Sequence, residues 1–230
     1  DGTLLYRGFY DLRDNTGELT ATKVNSDGSL QPLPQWRASE QLEPAITLPG
    51  SRVLVTYDKA SRKGIPFRHM DLTPDQQLTI NDQQVNFIRG NRADEAPAGP
   101  LRERAPTGAL LGDIVNSSPV FVGEPRSINR DQAPYPITDL YSEFADAKKD
   151  RTPVVYVGAN DGIMHGFDAT TGKEIFGYVP NKILDVTESY RNTLDDFTSP
   201  FYQHKYYVDL TPRLNDVYMR GSPAAVSKSW

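Results

Sequence analysis

The chain has 230 residues, enough for one large all-β domain or two small ones, and 24% charged with 10% aromatic residues argues against global disorder. A net charge of −5 and a sequence pI near 5.3 argue against a general nucleic-acid binder and against electrostatic docking on anionic membranes, since both need a basic surface. The absence of cysteine removes disulfides, thiolate metal sites, iron–sulfur clusters and a cysteine nucleophile.

No apolar run reaches the ~20 residues that span a bilayer, and no signal peptide is recognisable. The chain opens strand-like at Asp1-Gly2-Thr3-Leu4-Leu5 and stops at the apolar Trp230, so it is expected to be a fragment of a longer protein.

The 17 Gly and 18 Pro punctuate short apolar runs, which predicts many short strands. In chain order these are Leu4–Tyr10, Glu18–Val24, Arg52–Tyr57, Ile65–Phe67, Gln84–Ile88, Ser118–Val122, Val154–Gly158, Ile163–Phe167, Glu174–Val179 and Lys205–Val208. Arg89–Gly108 is rich in Gly, Pro and charge and reads as a long, mobile loop or linker. It separates Asp1–Ile88, with the first strands, from Ala109–Trp230, with further strands of the same domain. Gly123–Tyr135 has similar loop character. Two short helical insertions are predicted. Asp139–Lys149 has Asp139 as N-cap, Leu140 and Phe144 four apart, and lysines at its end; Asp185–Asp196 is the weaker candidate.

Gly17–Leu30 and Gly162–Ile175 share one plan: Gly, strand, polar turn with Gly28 or Gly172, new strand. Their spacing accommodates about three blades of ~40–50 residues. Val53–Phe67 is a poorer copy, with Gly64 assigned to its turn.

Pro153–Pro180 is the most legible segment. Val154–Gly158 is continuously apolar, as in a strand covered on both faces. Asn160-Asp161-Gly162 and Thr170-Thr171-Gly172-Lys173 are tight turns. Three strands with two tight turns make a meander, which needs stacked neighbours to bury its faces. Radial stacking of such units is a β-propeller. The small residues Gly158, Ala159 and Gly166 suit close backbone approach.

The string VYVGANDGIMHGFDATTGKEIFGYVP resembles a quinoprotein-type blade. That blade is shared by quinone-dependent dehydrogenases, outer-membrane assembly lipoproteins and pilus proteins. The flanks narrow the choice. Leu111-Gly112-Asp113-Ile114-Val115-Asn116-Ser117-Ser118-Pro119-Val120, His204-Lys205-Tyr206-Tyr207-Val208-Asp209 with Thr211-Pro212, and Phe87-Ile88-Arg89-Gly90 resemble elements of the type IV pilus tip-associated adhesins, the PilC/PilY family. So does the earlier stretch from Tyr6 through Gly17-Glu18-Leu19, Asn25-Ser26-Asp27-Gly28 and Trp36 to Gln41-Leu42. The chain departs from that pattern at Leu210, where Gly is usual, and at Leu214-Asn215-Asp216, where Val-Gly-Asp is usual.

The resemblance implies an all-β fold, a partial C-terminal propeller with long loops and one or two short helical insertions. It implies a non-catalytic part of a pilus tip-associated protein. Such a protein supports pilus assembly and adhesion, is exported through the periplasm to the cell surface, and contacts minor pilins, other tip components and a host or abiotic surface. No nucleic acid and no membrane insertion are implied. No cofactor is expected in this segment, because the calcium-binding loop described for some members belongs to a part of the domain outside it. The alternatives are a quinone-dependent dehydrogenase, or an outer-membrane assembly scaffold, which the long loops disfavour.

No catalytic, cofactor-binding or metal residue is assigned. Asp161 and Asp168 are metal-ligand types, but bonding of turn N–H groups is the favoured role. Asn25-Ser26-Asp27-Gly28 lacks the first Asp and the terminal Glu of a calcium loop and reads as a hairpin turn. His165, His69 and His204 read as structural histidines. Asp195-Asp196 reads as a solvated loop, because adjacent carboxylates rarely face one bond from opposite sides. Ser117-Ser118-Pro119 lacks a nucleophile elbow, and Pro119 suggests a strand entry.

Overall fold

The computed structural model describes residues 3–11, 13–43, 48–104, 110–126, 129–132, 140–185 and 193–218. Its strands are β1 (Leu4–Asp11), β2 (Thr16–Lys23), β3 (Trp36–Arg37), β4 (Leu54–Asp58), β5 (Lys63–Pro66), β6 (Val120–Val122), β7 (Val154–Gly158), β8 (Met164–Asp168) and β9 (Glu174–Tyr178). Its α-helices are short: α1 (Ala38–Leu42), α2 (Pro74–Gln77), α3 (Asp82–Ile88), α4 (Tyr141–Lys148) and α5 (Leu194–Thr198).

Two sheets form. One has the order β1-β2-β3, the other β5-β4-β9-β8-β7-β6. The predicted meander is β7-β8-β9, and β6 pairs antiparallel with β7 to make a four-stranded unit. A long insertion carrying α4 separates β6 from β7 in sequence. On the far side β4 adds to β9 in parallel, at Leu54 opposite Gly177 and Val55 opposite Tyr178, and so covers what would otherwise be an open edge.

The meander turns as its residues dictate. Gly162 (φ 89°) and Gly172 (φ 74°) hold left-handed positions that a side chain disfavours. Asp168 Oδ1 accepts the Thr170 and Thr171 N–H groups at 2.9 and 2.8 Å, closing the second turn. At Gly158 an added Cβ would lie 2.5 Å from the Val208 carbonyl oxygen, so the expected close approach is real.

The hydrophobic residues divide into two cores. Leu19, Ala21 and Trp36 of the small sheet pack on Val155, Val157 and Phe167 of the large one. Leu54, Phe67, Val85, Phe87, Ile163 and Phe197 form the second, between the large sheet and α3 and α5. Each fully buried Leu or Phe contributes about 1.5–3 kcal/mol. The first core is also keyed by polar contacts: the Trp36 indole N–H and the Tyr6 hydroxyl donate to the Ala169 carbonyl at 3.0 and 3.2 Å.

Several expectations are corrected. Gln84–Ile88 is helix α3, not a strand. Asn81 and Gln84 form a reciprocal capping box, and Thr73 with Gln76 does the same for α2. Lys205–Val208 forms no strand; side-chain bonds hold it instead. Gly64 lies in β5 opposite Tyr57, and Arg62 (φ 57°) takes the left-handed turn position. The helices number five among the described residues, rather than one or two. Asp139 lies outside the described residues, and α4 starts after Leu140, whose carbonyl accepts the Phe144 N–H.

The described part of Arg89–Gly108 carries no strand or α-helix, as a loop should, but it is anchored to the rest of the structure. Glu95, Leu101 and Arg104 are buried. Arg104 pairs with Glu95 at 2.6 Å and donates to the Phe87 and Asn91 carbonyls at 3.0 and 2.6 Å. Arg89 donates to the carbonyls of Phe67, Pro49 and Arg52 at 2.9, 3.0 and 2.7 Å. The charges that suggested solvation instead satisfy loop carbonyls inside the structure.

Gly172→Ala tests the contact between the sheets. Its Cβ would stand 2.5 Å from Trp36 Cδ2 at a positive φ. We expect a loss of about 1–3 kcal/mol, read from urea midpoints. Trp36→Phe, which removes one hydrogen bond to Ala169, should cost about 1 kcal/mol.

Candidate functional site

Asp161 sits in the β7–β8 turn and faces three ways. Its Oδ1 accepts the Ile163 N–H at 3.0 Å, its Oδ2 accepts the Gly112 N–H at 3.0 Å, and His165 Nε2 lies 3.1 Å from Oδ2. Gly112 must be glycine here, because a Cβ would lie 2.3 Å from the Asp161 nitrogen.

The neighbouring Asn160 forms a second junction. Its N–H donates to the Asp113 carbonyl at 3.1 Å, and its Nδ2 donates to Asp113 Oδ2 at 2.7 Å. Its Oδ1 accepts the Tyr207 N–H at 3.0 Å. His204 Nε2 reaches the same Asp113 Oδ2 at 2.8 Å. Asp209 accepts the Asn116 N–H at 3.0 Å and the Asn116 side-chain amide, and it lies 3.3 Å from Asn160 Nδ2. Ser117 Oγ accepts the Gly158 N–H, and Thr211 Oγ1 accepts the Ser118 N–H, each at 2.9 Å.

Inward from Asp161 the network becomes ionic. His165 is 0% exposed and its ring lies between two carboxylates, with Nδ1 2.8 Å from Glu174 Oε1. Glu174 takes a bidentate pair from Arg52, at 2.6 and 2.7 Å, and both side chains are 5% exposed. Arg52 also donates to the Ile88 carbonyl at 3.2 Å. Burial by itself disfavours the charged ring of His165. Asp161, and then Glu174, outweigh that and raise its pKa from 6.5 to about 9. Burial likewise opposes the Glu174 anion, but Arg52 and His165 hold it well below the usual carboxylate range. A carboxylate at each ring nitrogen favours the imidazolium, which can donate from both.

The arrangement clamps chain segments. The cleft beside Gly112, bounded by Arg102, Arg104 and Phe197, measures ≈ 10 Å³, about the room for one water. Arg102 stacks its guanidinium 4.3 Å from the Phe197 ring and 4.6 Å from the Tyr202 ring. Among the described residues no group of three or more His, Asp or Glu is arranged to hold a metal ion.

The residues singled out in the sequence separate accordingly. Asp161, His165 and His204 join the network, with His165 gaining two partners that its local sequence did not suggest. Asp168 fixes its turn. Asn25–Ser29 is a hairpin turn, with Gly28 at φ 83° and Asp27 accepting from Ser29. Asp195 and Asp196 lie in the first turn of α5 rather than in a loop and face different partners, Gln84 and Lys205. The His69 carbonyl accepts from Gln77, away from the network. Pro119 precedes β6. Arg52 and Glu174 were missed, because 122 residues separate them.

Three elements distant in sequence, at Gly112–Asn116, Asn160–Asp161 and His204–Asp209, thus meet at one point. Residues 111–223, which contain all three, match the family model for the PilY1 beta-propeller domain. Over this span the chain is similar to part of a PilY1 β-propeller domain.

The PilY1 relatives agree. A type IV pilus biogenesis factor PilY1 homolog of Xylella fastidiosa is 42% identical over 137 residues, covering 59% of this chain and 10% of that protein. The PilY1 of Pseudomonas aeruginosa strain PAK is 37% identical over 161 residues, covering 67% of the chain and 13% of the relative. A further Xylella fastidiosa PilY1 homolog is 30% identical over 259 residues, covering 94% of the chain and 17% of the relative. The chain therefore spans a small part of each of these relatives. No solved structure matches it.

The departures from the PilY1 pattern cost little. Leu210 is 80% exposed, so a side chain there meets solvent. Of Leu214-Asn215-Asp216, the retained Asp216 makes the anchoring contacts, accepting from the Tyr141 hydroxyl at 2.9 Å and pairing with Arg151 at 3.3 Å.

The ionic network predicts a pH-dependent stability. A histidine whose folded pKa is raised stabilises fully below its unfolded value near 6.5, and that contribution is lost as pH rises through about 9. Urea midpoints should fall across this window, and His165→Gln should remove that slope. Arg52→Met leaves Glu174 buried beside His165 alone and should cost about 3–5 kcal/mol, whereas Arg52→Met with Glu174→Met should cost less than that single change.

Proposed function

We propose that this chain is a non-catalytic portion of a type IV pilus biogenesis factor, supporting pilus assembly and surface adhesion through protein–protein contacts. The observation that carries this reading is the match of residues 111–223 to the PilY1 propeller domain, joined to the meeting of the three elements in one partly buried clamp. A rigid β-scaffold that fixes long loops suits recognition by those loops. The charged network is committed to holding chain segments together.

On this reading the protein acts at the outer cell surface or pilus tip, after export through the periplasm. Its partners are minor pilins and other tip components, and its attachment target is a host or abiotic surface. We propose no cofactor for this segment; any calcium site of the family's domain lies outside it. Among the described residues no helix is long and apolar enough to cross a membrane.

In a strain lacking the full-length protein, the intact gene should restore surface pilin and attachment. A gene carrying Arg52→Met and His165→Gln together should restore neither, with the secreted protein checked by immunoblot. Restoration by a gene lacking residues 111–223 would overturn the proposal. Incubation of the purified chain with a pyrroloquinoline quinone and calcium should leave no bound chromophore in the absorption spectrum.

A further inference from the structure

A groove of ≈ 380 Å³ lies away from the polar network, where the β4–β5 turn, α2 and the 3-10 turn Asn181–Leu184 meet. Its size falls within the ~300–1,000 Å³ of ligand-binding clefts. Its wall is fixed before anything binds. Gln76 is 5% exposed, and its Nε2 donates to the Tyr57 carbonyl at 3.2 Å and to Asn181 Oδ1 at 2.5 Å. The capping box with Thr73 holds the same helix from its other end.

The surface is apolar with a charged rim. Ala60, Leu184 and Leu78 supply the apolar part, and Leu78 is 87% exposed. The rim carries Asp58, Asp75, Asp185 and Lys59. Lys59 pairs with Asp185 at 2.6 Å. Asp58 accepts the Ala60 and Ser61 N–H groups, and hydrogen bonding from Ser61 holds its carboxyl below the usual range, so it stays anionic. Asp75 makes no ion pair among the described residues, and it is exposed. With Lys59 and Asp185 neutralising one another, the rim keeps two negative charges beside an exposed leucine.

We propose that this groove docks a lysine or arginine side chain of a partner protein, the cationic head set against Asp58 and Asp75 and a neighbouring apolar side chain of the partner covering Leu78. Charge complementarity selects the cation, because an acidic side chain would meet like charge on both sides. The apolar stem of lysine or arginine suits a groove that is greasy within and anionic at its edge. The inference rests on the reading of the chain as a protein-contact module and specifies where one contact is made.

The test is an NMR titration of the ¹⁵N-labelled full chain with acetyl-Leu-Lys-Leu amide, alongside its glutamate and norleucine analogues. Saturable shifts confined to the amides of Ala60, Leu78, Thr79 and Asn181 are expected for the lysine peptide, with weaker binding by norleucine and none by glutamate. Asp75→Asn removes one exposed charge and should weaken the lysine peptide roughly two- to fivefold. Leu78→Ser should weaken the lysine and norleucine peptides alike. Both positions are exposed, and unchanged spectra elsewhere establish that the variants are folded. The proposal is overturned by absence of saturable shifts, by shifts outside the groove, by equal binding of the glutamate peptide, or by undiminished affinity in both variants. The titration involves no pilus, so its failure would leave the assembly role standing, and failed complementation with intact peptide binding would do the reverse.

Discussion

Arg52 and Glu174 meet at 2.6 Å with both side chains 5% exposed, and the large sheet depends on that contact. Arg52 leads into β4 and Glu174 opens β9, so the pair fastens an added hairpin to the blade at the point where their ladder begins. Burying two charges costs several kcal/mol per ion, and a bidentate pair offsets this only when the remaining polar atoms are satisfied. Here they are. The Ile88 carbonyl takes a third bond from Arg52, and His165 takes the open side of Glu174. His165 passes the charge alternation on to Asp161, which holds the Gly112 amide. One line of alternating charge therefore reaches from the added hairpin through the blade to the segment that precedes β6.

The same economy governs the irregular parts. Long loops carry carbonyls that no ladder satisfies, and an unpaired buried carbonyl is costly. Arg89 takes carbonyls of four residues at once, and Arg104 takes two as well as Glu95. A guanidinium has five donors in a fixed fork, so one side chain can replace a stretch of missing ladder. The segment 204–211 is held in a comparable way by His204, Asp209 and Thr211, without forming a strand.

Legibility in the sequence follows the range of the interactions. The meander was readable because its signals are local: apolar runs bounded by glycines that the observed positive φ values require. Gln84–Ile88 was misread because its apolar residues fit a short strand, although the Asn81…Gln84 spacing carried the capping signal that decides for helix. The anchoring of Arg89–Arg104 was not legible, because composition reports how charged a segment is, not which carbonyls its arginines reach. His165 looked partnerless because one of its carboxylates lies across the β8–β9 ladder, beyond the turn at Gly172.

By itself the sequence determined that the chain is all-β, that Pro153–Pro180 is a propeller-type meander, and that its flanking elements resemble those of a pilus factor. These follow from period, turn chemistry and motif order, which are properties of neighbouring residues. Tertiary structure alone decided that β6 completes the blade and β4 covers its far edge. It also decided that Gly112–Asn116, Asn160–Asp161 and His204–Asp209 form one junction, with Arg52 and Glu174 behind it. Those outcomes depend on which distant segments are brought together to bury apolar faces. Once they are, buried charges and carbonyls must find partners wherever packing has placed them.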